Sequence, residues 1–223
     1  MELAVLQMRT IEGDCFFSDL NDRLIKQWLA VQESAEEVYE DLLLCEDEGD
    51  FPGEVTALNS GNQSPGALIW LLCKSHSALY RERADGNFNA PRSKDGGRPL
   101  PSFERLQAVS DLIRLCYFRQ GDWSSCVRAT GSGDLVFCDP PYLQTYGGYT
   151  ASRWSEAESL WLVLEMQRLA RSGATCLMTE TTKVLPLLRR SGVHFEHSEH
   201  PKARKCNGAS KEAHTEVIVK FFY

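Results

Sequence analysis

Residues 135–142 read Leu135-Val136-Phe137-Cys138-Asp139-Pro140-Pro141-Tyr142, an apolar run followed directly by an acid, two prolines and a tyrosine. The apolar run predicts a buried β-strand, and the prolines end it because they have no N–H to donate within a sheet. In open α/β sheets, ligands bind beyond the carboxyl ends of the strands. We therefore expect the residues after this strand to lie in a ligand-binding crevice.

The side chains after the strand suit one kind of ligand, an amino group attached to a flat ring. Such an amine becomes a better nucleophile when acceptors hold its N–H bonds, and the Asp139 carboxylate and the Pro140 carbonyl are acceptors. Tyr142 offers an aromatic surface for stacking on the ring. The same four residues also fit an ordinary strand that ends in a Pro-Pro turn, so the tetrapeptide alone leaves both interpretations open.

The composition indicates one sizeable soluble domain with room for a small subdomain. The chain has 223 residues, of which 43% are hydrophobic and 25% are charged. Its longest apolar stretches, such as residues 67–73, are too short to span a bilayer, and Met1-Glu2 is not a typical start of a signal peptide. The eight cysteines include no Cys-x-x-Cys pair, which is typical of reduced core residues. We therefore expect a cytoplasmic protein.

The charge of the chain limits how it can contact a polyanion. A formal net charge of -7 excludes a generally basic surface for nucleic acid. Any nucleic-acid contact must therefore use local basic patches or a partner.

Strand and helix patterns alternate along the chain, which indicates an α/β fold with one inserted region. Ser155 followed by Glu158 forms a capping box, which predicts the start of a helix. The predicted strands are 13–19, 135–138, 174–179 and 215–222; the predicted helices are 21–47, one beginning at 67–73, 103–118, 155–171 and 183–190; the predicted loops are 52–66 and 92–101.

An ordered set of short motifs is more specific than any one of them. In chain order they are Ser18-Asp19-Leu20-Asn21, Tyr80-Arg81, Asp85-Gly86-Asn87-Phe88-Asn89, Pro91, Gly121-Asp122-Trp123, Asp139-Pro140-Pro141-Tyr142, Tyr146-Gly147-Gly148-Tyr149, Lys205-Cys206-Asn207-Gly208 and Thr215-Glu216-Val217. In this order the chain resembles the Dam-type DNA adenine-N6 methyltransferases, which transfer a methyl group from S-adenosylmethionine to adenine. The resemblance covers nearly the whole chain.

The resemblance implies a fold, a domain organisation and a reaction. The implied fold is an α/β fold with an incomplete Rossmann-like class I methyltransferase sheet and an inserted, mainly helical DNA-recognition region. The catalytic core falls at residues 1–50 and 103–223, and the target-recognition region falls at residues 51–102. The implied cofactor is S-adenosylmethionine and the implied substrate is double-stranded DNA, with the target adenine flipped out of the helix.

The resemblance also assigns site residues. The catalytic residues are Asp139, Pro140, Pro141 and Tyr142. The cofactor-binding residues are Asp19 for the ribose hydroxyls, and Asp122 with Trp123 for the adenine ring. From the residues alone, Asp19 also fits a helix N-cap and Asp122 also fits an ordinary Gly-Asp turn.

The resemblance places DNA contacts in the inserted region and in a late loop. The implied nucleic-acid-binding residues are Arg81, Arg83, Asn87, Arg92, Lys205 and Asn207. Arginine suits this role because its planar fork matches guanine edges and phosphates. Basic residues in loops are also often solvated without a ligand. The segment 146–154 corresponds to an aromatic segment that closes over a flipped base in this family.

Three histidines recur every third residue near the end of the chain, at His194, His197 and His200. The segment around them predicts extended backbone, in which that spacing alternates between the two faces. We therefore expect no metal site.

The chain departs from the family pattern near its start. Family members carry a Lys-bearing segment and a first strand that ends in a Phe-x-Gly-x-Gly loop, and this sequence contains neither. That strand is central in the family's sheet, so its absence exposes two strand edges and apolar surface. We therefore expect a split enzyme, a heterodimer in which a second polypeptide supplies the first strand and the glycine loop.

Two alternatives stay open from the sequence. The same chemistry serves methylation of RNA or of the cytosine N4 amine, because the tetrapeptide selects an amine on a flat ring rather than adenine. An alternative of another class is a non-catalytic DNA-binding or regulatory subunit, but the intact tetrapeptide, Asp19 and Asp122 argue against it.

Overall fold

A computed structural model describes residues 13–143, 154–201 and 215–223. The chain divides into two compact units, Met1–Cys126 and Val127–Tyr223, and each is described by itself. The predicted target-recognition region, residues 51–102, lies within the first unit. Across the described ranges, no helix is both long enough and apolar enough to cross a membrane.

The first unit contains a two-stranded parallel sheet and a set of helices. Strand β1 pairs with β2 in a register that sets Asp19 opposite Gln120. The strands are β1 (Cys15–Asp19) and β2 (Cys116–Gln120); the helices are α1 (Asp22–Glu33), α2 (Ala35–Glu48), α3 (Phe51–Ser60), α4 (Ala67–Lys74), α5 (Phe103–Ile113) and α6 (Trp123–Val127). Leucines and valines from α2, α3 and α4 form the centre of its core, including the fully buried Val38, Leu42, Leu58 and Leu68.

The predicted helix over 21–47 is two helices. Ser34 has extended backbone angles and its hydroxyl accepts the N–H of Glu37, so it caps the second helix and ends the first. Serine is a preferred N-cap because its side chain satisfies an otherwise unpaired N–H of the first turn. The apolar spacing continues across the break, which explains why the sequence pattern did not show it.

The predicted loop over 52–66 is wrong for its first half, which forms α3. The Asp50 carboxylate accepts the N–H of Gly53 at 3.0 Å, and Gly61 ends the helix in the left-handed conformation at φ 82°. Pro52 lies in the first turn, where the missing N–H costs nothing. Proline and glycine near the start of a helix were therefore misread as loop signals.

The predicted helix over 103–118 ends five residues early. Helix α5 stops at Ile113, and Cys116–Gln120 forms strand β2 beside β1. Phe118 stacks on Phe17 with ring centroids 5.1 Å apart, and on Trp28 of α1 at 5.9 Å. These contacts join residues far apart in the chain, which local periodicity cannot detect.

The second unit is built on a four-stranded mixed sheet with strand order β3-β4-β6-β5. Strands β3 and β4 are parallel, and β6 is antiparallel to both β4 and β5. The elements are β3 (Leu135–Cys138), β4 (Thr175–Thr181), β5 (His194–Pro201), β6 (Thr215–Phe222), α7 (Glu156–Arg171) and α8 (Leu185–Ser191). Helix α7 starts at the predicted capping box, in which Ser155 and Glu158 bond to each other's main chain.

One face of this sheet lies under α7, and the other is partly exposed. Val136, Cys176, Met178, Val219 and other residues of the first face are buried, and α7 packs against β4 and β6. On the opposite face Leu135 and Phe137 are each 50% exposed. The sheet therefore has a complete core on one side only, among the residues that the structure describes.

Candidate active site

The loop after β3 carries an exposed carboxylate that a neighbouring strand holds. The Thr179 hydroxyl, near the end of β4, donates to Asp139 Oδ1 at 2.5 Å and lies 3.4 Å from the carbonyl oxygen of Cys138. The parallel pairing of β3 with β4 produces this contact, because Cys138 lies opposite Met178 in the register. One oxygen of the predicted catalytic carboxylate is thus fixed by a side chain.

Tyr142, in the same loop, is oriented by the last strand. Its phenol donates to Glu216 Oε1 of β6 at 3.2 Å. Burial raises the pKa of the Tyr142 phenol well above its usual range, and the carboxylates of Asp139 and Glu216 raise it further. The phenol therefore stays neutral, and its role as a stacking surface stays a prediction.

Glu180 is a buried carboxylate that the sequence analysis missed. It is 1% exposed and accepts the backbone N–H of Leu143 at 2.6 Å and that of Thr181 at 2.6 Å. Burial raises the pKa of Glu180 above its usual value, although the two backbone donors partly oppose this. Its bond to Leu143 fixes the far end of the loop that follows β3.

Thr179 and Glu216 were not predicted as site residues either. The available signal was a run of polar residues at the carboxyl end of β4, Thr179-Glu180-Thr181, directly after the apolar residues 176–178. A charged residue at such a position is rarely buried without a partner. One of the two partners of Glu180, however, is the Leu143 N–H, 37 residues away in sequence.

The first unit brings the two predicted cofactor carboxylates to one edge of its sheet. Asp19 ends β1, and Asp122 follows β2 by two residues. The two strands are parallel, and the Gly121 N–H donates to the Asp19 carbonyl at 3.0 Å. Both side chains therefore lie at the carboxyl ends of their strands, where α/β sheets bind ligands.

The hydrogen bonds of these two acids bear on the alternatives left open for them. Asn21, not Asp19, is the N-cap of α1, because the Asn21 side chain accepts the N–H groups of Arg23 and Leu24. Asp19 Oδ1 accepts the Asn21 N–H at 2.7 Å, and Asp19 lines a mainly apolar pocket with Phe17, Leu24, Ile25, Trp28 and Phe118. Asp122 Oδ1 accepts the Ser124 N–H at 2.9 Å, as expected for a residue that starts a helical turn.

A short hairpin in the first unit carries three of the predicted DNA-contacting residues. Arg81, Arg83 and Asn87 lie on a segment closed by the backbone bonds Arg83 to Asn87 at 2.8 Å and Asn89 to Arg81 at 3.0 Å. The hairpin turns at Gly86, which has a φ of 79°. The Arg83 and Arg92 side chains are exposed, whereas Arg81 and Asn87 are partly buried.

This hairpin is attached, at its turn and at Glu82, to the N-terminal end of helix α1. The Arg23 guanidinium donates to the Gly86 carbonyl at 2.7 Å, and the Asn21 amide donates to Glu82 at 3.0 Å. Glu82 also accepts the phenol of Tyr80 at 2.6 Å. The hairpin and the Asp19 region are therefore joined by polar contacts.

The sequence matches the D12 class N6 adenine-specific DNA methyltransferases over residues 3–200. The chain belongs to this family. The match covers both compact units, including the β3 loop, the two acids of the first sheet and the hairpin.

Individual relatives of this D12-class chain are distant. It is 20% identical over 195 residues to the type II methyltransferase M1.LlaDCHI of Lactococcus lactis subsp. cremoris, covering 84% of this chain and 67% of the relative. Identity is 24% to the DNA N-6-adenine-methyltransferase of Escherichia phage P1, covering 68% of this chain and 21% of that protein. Identity is 23% to the retron Ec67 DNA adenine methylase of Escherichia coli, covering 68% of this chain and 53% of that protein.

The D12-class chain thus spans about half of one of these relatives and about a fifth of another. Among solved structures, the chain is similar to the crystal structure of Thermoplasma acidophilum 1320, with 13% sequence identity. The alignment covers 89% of this chain and 97% of that one. Its TM-score of 0.31 is too low to support a structural argument.

Some predicted site residues of this D12-class protein lie outside the described residues. They are Lys205 and Asn207 of the late loop, and the aromatic segment Tyr146-Gly147-Gly148-Tyr149. Trp154 is described, and its indole N–H donates to the Ser159 hydroxyl of α7 at 2.7 Å.

Proposed function

We propose that this chain is the base-binding, catalytic subunit of an adenine-N6 DNA methyltransferase that uses S-adenosylmethionine. The observation that carries the proposal is the β3 loop, in which an exposed Asp139 carboxylate is held by Thr179 and stands beside the neutral phenol of Tyr142. Membership of the D12 class supports the choice of adenine in DNA.

The loop residues act on the amine of a flipped adenine. The Asp139 carboxylate and the Pro140 carbonyl accept its N–H bonds, which directs the nitrogen lone pair away from them. Tyr142 stacks on the ring and fixes its plane. Pro141 holds the backbone between these groups, because its φ is fixed by the pyrrolidine ring. The reaction therefore needs positioning and no covalent enzyme intermediate.

The first unit has groups that fit the methyl donor. A carboxylate such as Asp19 accepts from two ribose hydroxyls together, and it lies against apolar side chains suited to an uncharged ring. Asp122 and Trp123 at the end of the neighbouring strand are assigned to the adenine of the donor. When bound, S-adenosylmethionine supplies an electrophilic methyl group.

The hairpin of the first unit is assigned to duplex DNA. Its exposed Arg83 and the following exposed Arg92 are suited to phosphates or guanine edges, and Arg81 and Asn87 lie on the same turn of chain. Lys205 and Asn207 are assigned to the same role from the sequence. This local positive charge offsets a chain that is acidic as a whole.

Replacing Asp139 tests the catalytic assignment. We expect Asp139→Ala to lower the rate of methyl transfer to adenine by at least about 100-fold, because a preorganised acceptor for the reacting amine is lost. The measurement is incorporation of labelled methyl groups into duplex DNA, with RNA and cytosine-only substrates run in parallel. Asp134→Ala, at the opposite end of β3, is the matched control and should keep most activity. A near-normal rate in Asp139→Ala would exclude the assigned role.

We also propose that a second polypeptide completes the sheet. Two parallel strands, β1 and β3, each have one edge with no partner within the described ranges. Strand β1 carries no charged residue before Asp19, and β3 carries none, whereas the edge strand β5 contains Glu196 and Glu199. Natural edges are usually protected by charges, so β1 and β3 have the character of interior strands.

Uncovered apolar faces support the same proposal. Parallel sheets are normally covered on both faces. On β1 and β2, the rings of Phe16 and Tyr117 stack at 4.9 Å and remain 62% and 55% exposed. On β3, Leu135 and Phe137 are half exposed. The proposed partner supplies a parallel strand, the Phe-x-Gly-x-Gly loop that follows it, and apolar surface for these faces.

Cofactor binding with and without the partner tests this proposal. The candidate partner is a small protein with a Phe-x-Gly-x-Gly loop encoded beside this chain, and calorimetry measures its effect on S-adenosylmethionine affinity. We expect the pair to bind at least about tenfold more tightly than the chain alone, because the glycine loop allows close backbone approach to the ligand. A partner with its loop glycines changed to valine is the control. Full affinity and activity in the chain alone would contradict the split enzyme.

A further inference from the structure

Thr179 contacts the carboxylate of the β3 loop. Its hydroxyl donates to Asp139 Oδ1 at 2.5 Å and lies 3.4 Å from the carbonyl oxygen of Cys138. It stands on β4, near the carboxyl end of the strand that pairs with β3.

An exposed carboxylate needs such a contact to hold one orientation. Asp139 is exposed and follows the last residue of β3 directly, so packing does not fix its side chain. A carboxylate has two acceptor oxygens. Because the Thr179 hydroxyl donates to Oδ1, it restricts rotation of the carboxylate, and the remaining acceptor sites stay open to an incoming amine. The hydroxyl therefore sets the orientation in which the carboxylate meets the substrate.

The loop cannot easily move to replace this contact. Two prolines restrict its backbone, and Glu180, the residue after Thr179, holds the Leu143 N–H at 2.6 Å. Adjacent residues of β4 thus fix both ends of the loop. Loss of the hydroxyl would leave the backbone in place and free only the carboxylate.

We infer that Thr179 is a positioning residue for methyl transfer, which orients the Asp139 carboxylate toward the amine of the target base. This inference rests on the proposed function of Asp139. Thr179 acts through Asp139 and is not assigned any contact with the substrate.

Two substitutions at Thr179 separate the hydroxyl from the rest of the side chain. Thr179→Val removes the hydroxyl and keeps the branched shape, whereas Thr179→Ser keeps the hydroxyl. In the complete enzyme, with its partner, we expect Thr179→Val to lower kcat for DNA methylation about 10- to 100-fold with little change in KM, as for a reacting group displaced by a fraction of an ångström. Thr179→Ser should retain kcat within about threefold. Equal values of kcat in the valine variant and the unmodified enzyme would overturn the inference.

A second measurement does not depend on activity. In protein labelled with ¹³C at aspartate carboxyl groups, the Asp139 resonance is assigned by its loss in Asp139→Asn. We expect Thr179→Val to shift this resonance and Thr179→Ser to leave it nearly unchanged, and an unshifted resonance in the valine variant would refute the positioning role. If the unmodified enzyme transfers no methyl group, the proposed function fails, and the resonance alone then decides whether Thr179 orients Asp139.

Discussion

Glu180 places a carboxylate inside the second unit, with 1% of its surface exposed. Burying a charge is costly unless hydrogen bonds replace the lost water, and here the N–H groups of Leu143 and Thr181 do so. An apolar residue at this position would pack well but would leave the Leu143 N–H without an acceptor. At this position a buried carboxylate fixes the loop after β3, at a cost in stability of the fold.

This exchange predicts a pH dependence of stability. The pKa of Glu180 is raised in the folded state, above its ordinary value of 4.5, so the folded chain binds the proton more tightly than the unfolded chain. The stabilisation from this group is complete below the unfolded pKa and is lost as pH rises through the folded pKa. Relative to Glu180→Gln, which does not titrate, the unmodified chain should become less stable as pH rises from 4.5. The measurement is the free energy of unfolding in urea as a function of pH. The expected loss of stability is about 1.4 kcal/mol for each pH unit by which the folded pKa exceeds the unfolded one.

Glu165 on α7 provides a control of opposite sign. Its hydrogen bond with Arg168 lowers the pKa of Glu165, so this group stabilises the fold above its unfolded pKa and stops doing so as pH falls through the folded pKa. Relative to Glu165→Gln, the unmodified chain should lose stability on the acid side. Parallel pH profiles for the two glutamine variants would contradict the Glu180 prediction.

At the scale of elements, β3 combines an edge that is unpaired within residues 13–143, 154–201 and 215–223 with exposed apolar side chains. Such edges promote association between chains. We expect the isolated chain to self-associate, and Phe137→Lys to reduce this association at least severalfold, because a lysine on an edge strand disfavours pairing with another strand. Light scattering after size-exclusion chromatography over a range of concentrations measures it.

Phe222 supplies the matched control for this prediction. It is 44% exposed, close to the 50% of Phe137, but it lies on β6, which is paired on both sides. Phe222→Lys should therefore have a smaller effect on self-association. If both lysine variants reduced association equally, the exposed apolar area would cause the self-association, and the edge of β3 would not be its cause.

The elements also show what sequence patterns can establish. Strand β3 and the capping box of α7 depend on neighbouring residues, and both were predicted at or within one residue of their observed bounds. Strand β2 was predicted as helix because its strand character comes from pairing with β1, about 100 residues earlier in the chain, as in Cys15 with Cys116. Helix α3 was missed because Pro52 was interpreted as a residue that breaks helices, whereas proline in the first turn of a helix is favourable.

For the whole molecule, the sequence supplied the residues of the candidate site but not their supports. Asp139, Tyr142, Asp19 and Asp122 belong to short motifs that are readable one at a time. Their supports, such as Thr179 and Glu216, come from other strands, and a single sequence does not show which strands are neighbours. The assignment of roles to all these residues stays a prediction, whereas the D12-class family is established by the match over residues 3–200.

The contact between Thr179 and Asp139 also sets the order in which the site can form during synthesis. The two residues are 40 positions apart, and Glu216 follows Tyr142 by 74. At about 5 to 20 residues per second on the ribosome, the Asp139 loop emerges about 2 to 8 s before its hydroxyl support and longer still before β6. A growing chain therefore carries Asp139-Pro140-Pro141-Tyr142 for seconds without the strands that arrange it, and the loop can reach its described arrangement only after β6 has been synthesised.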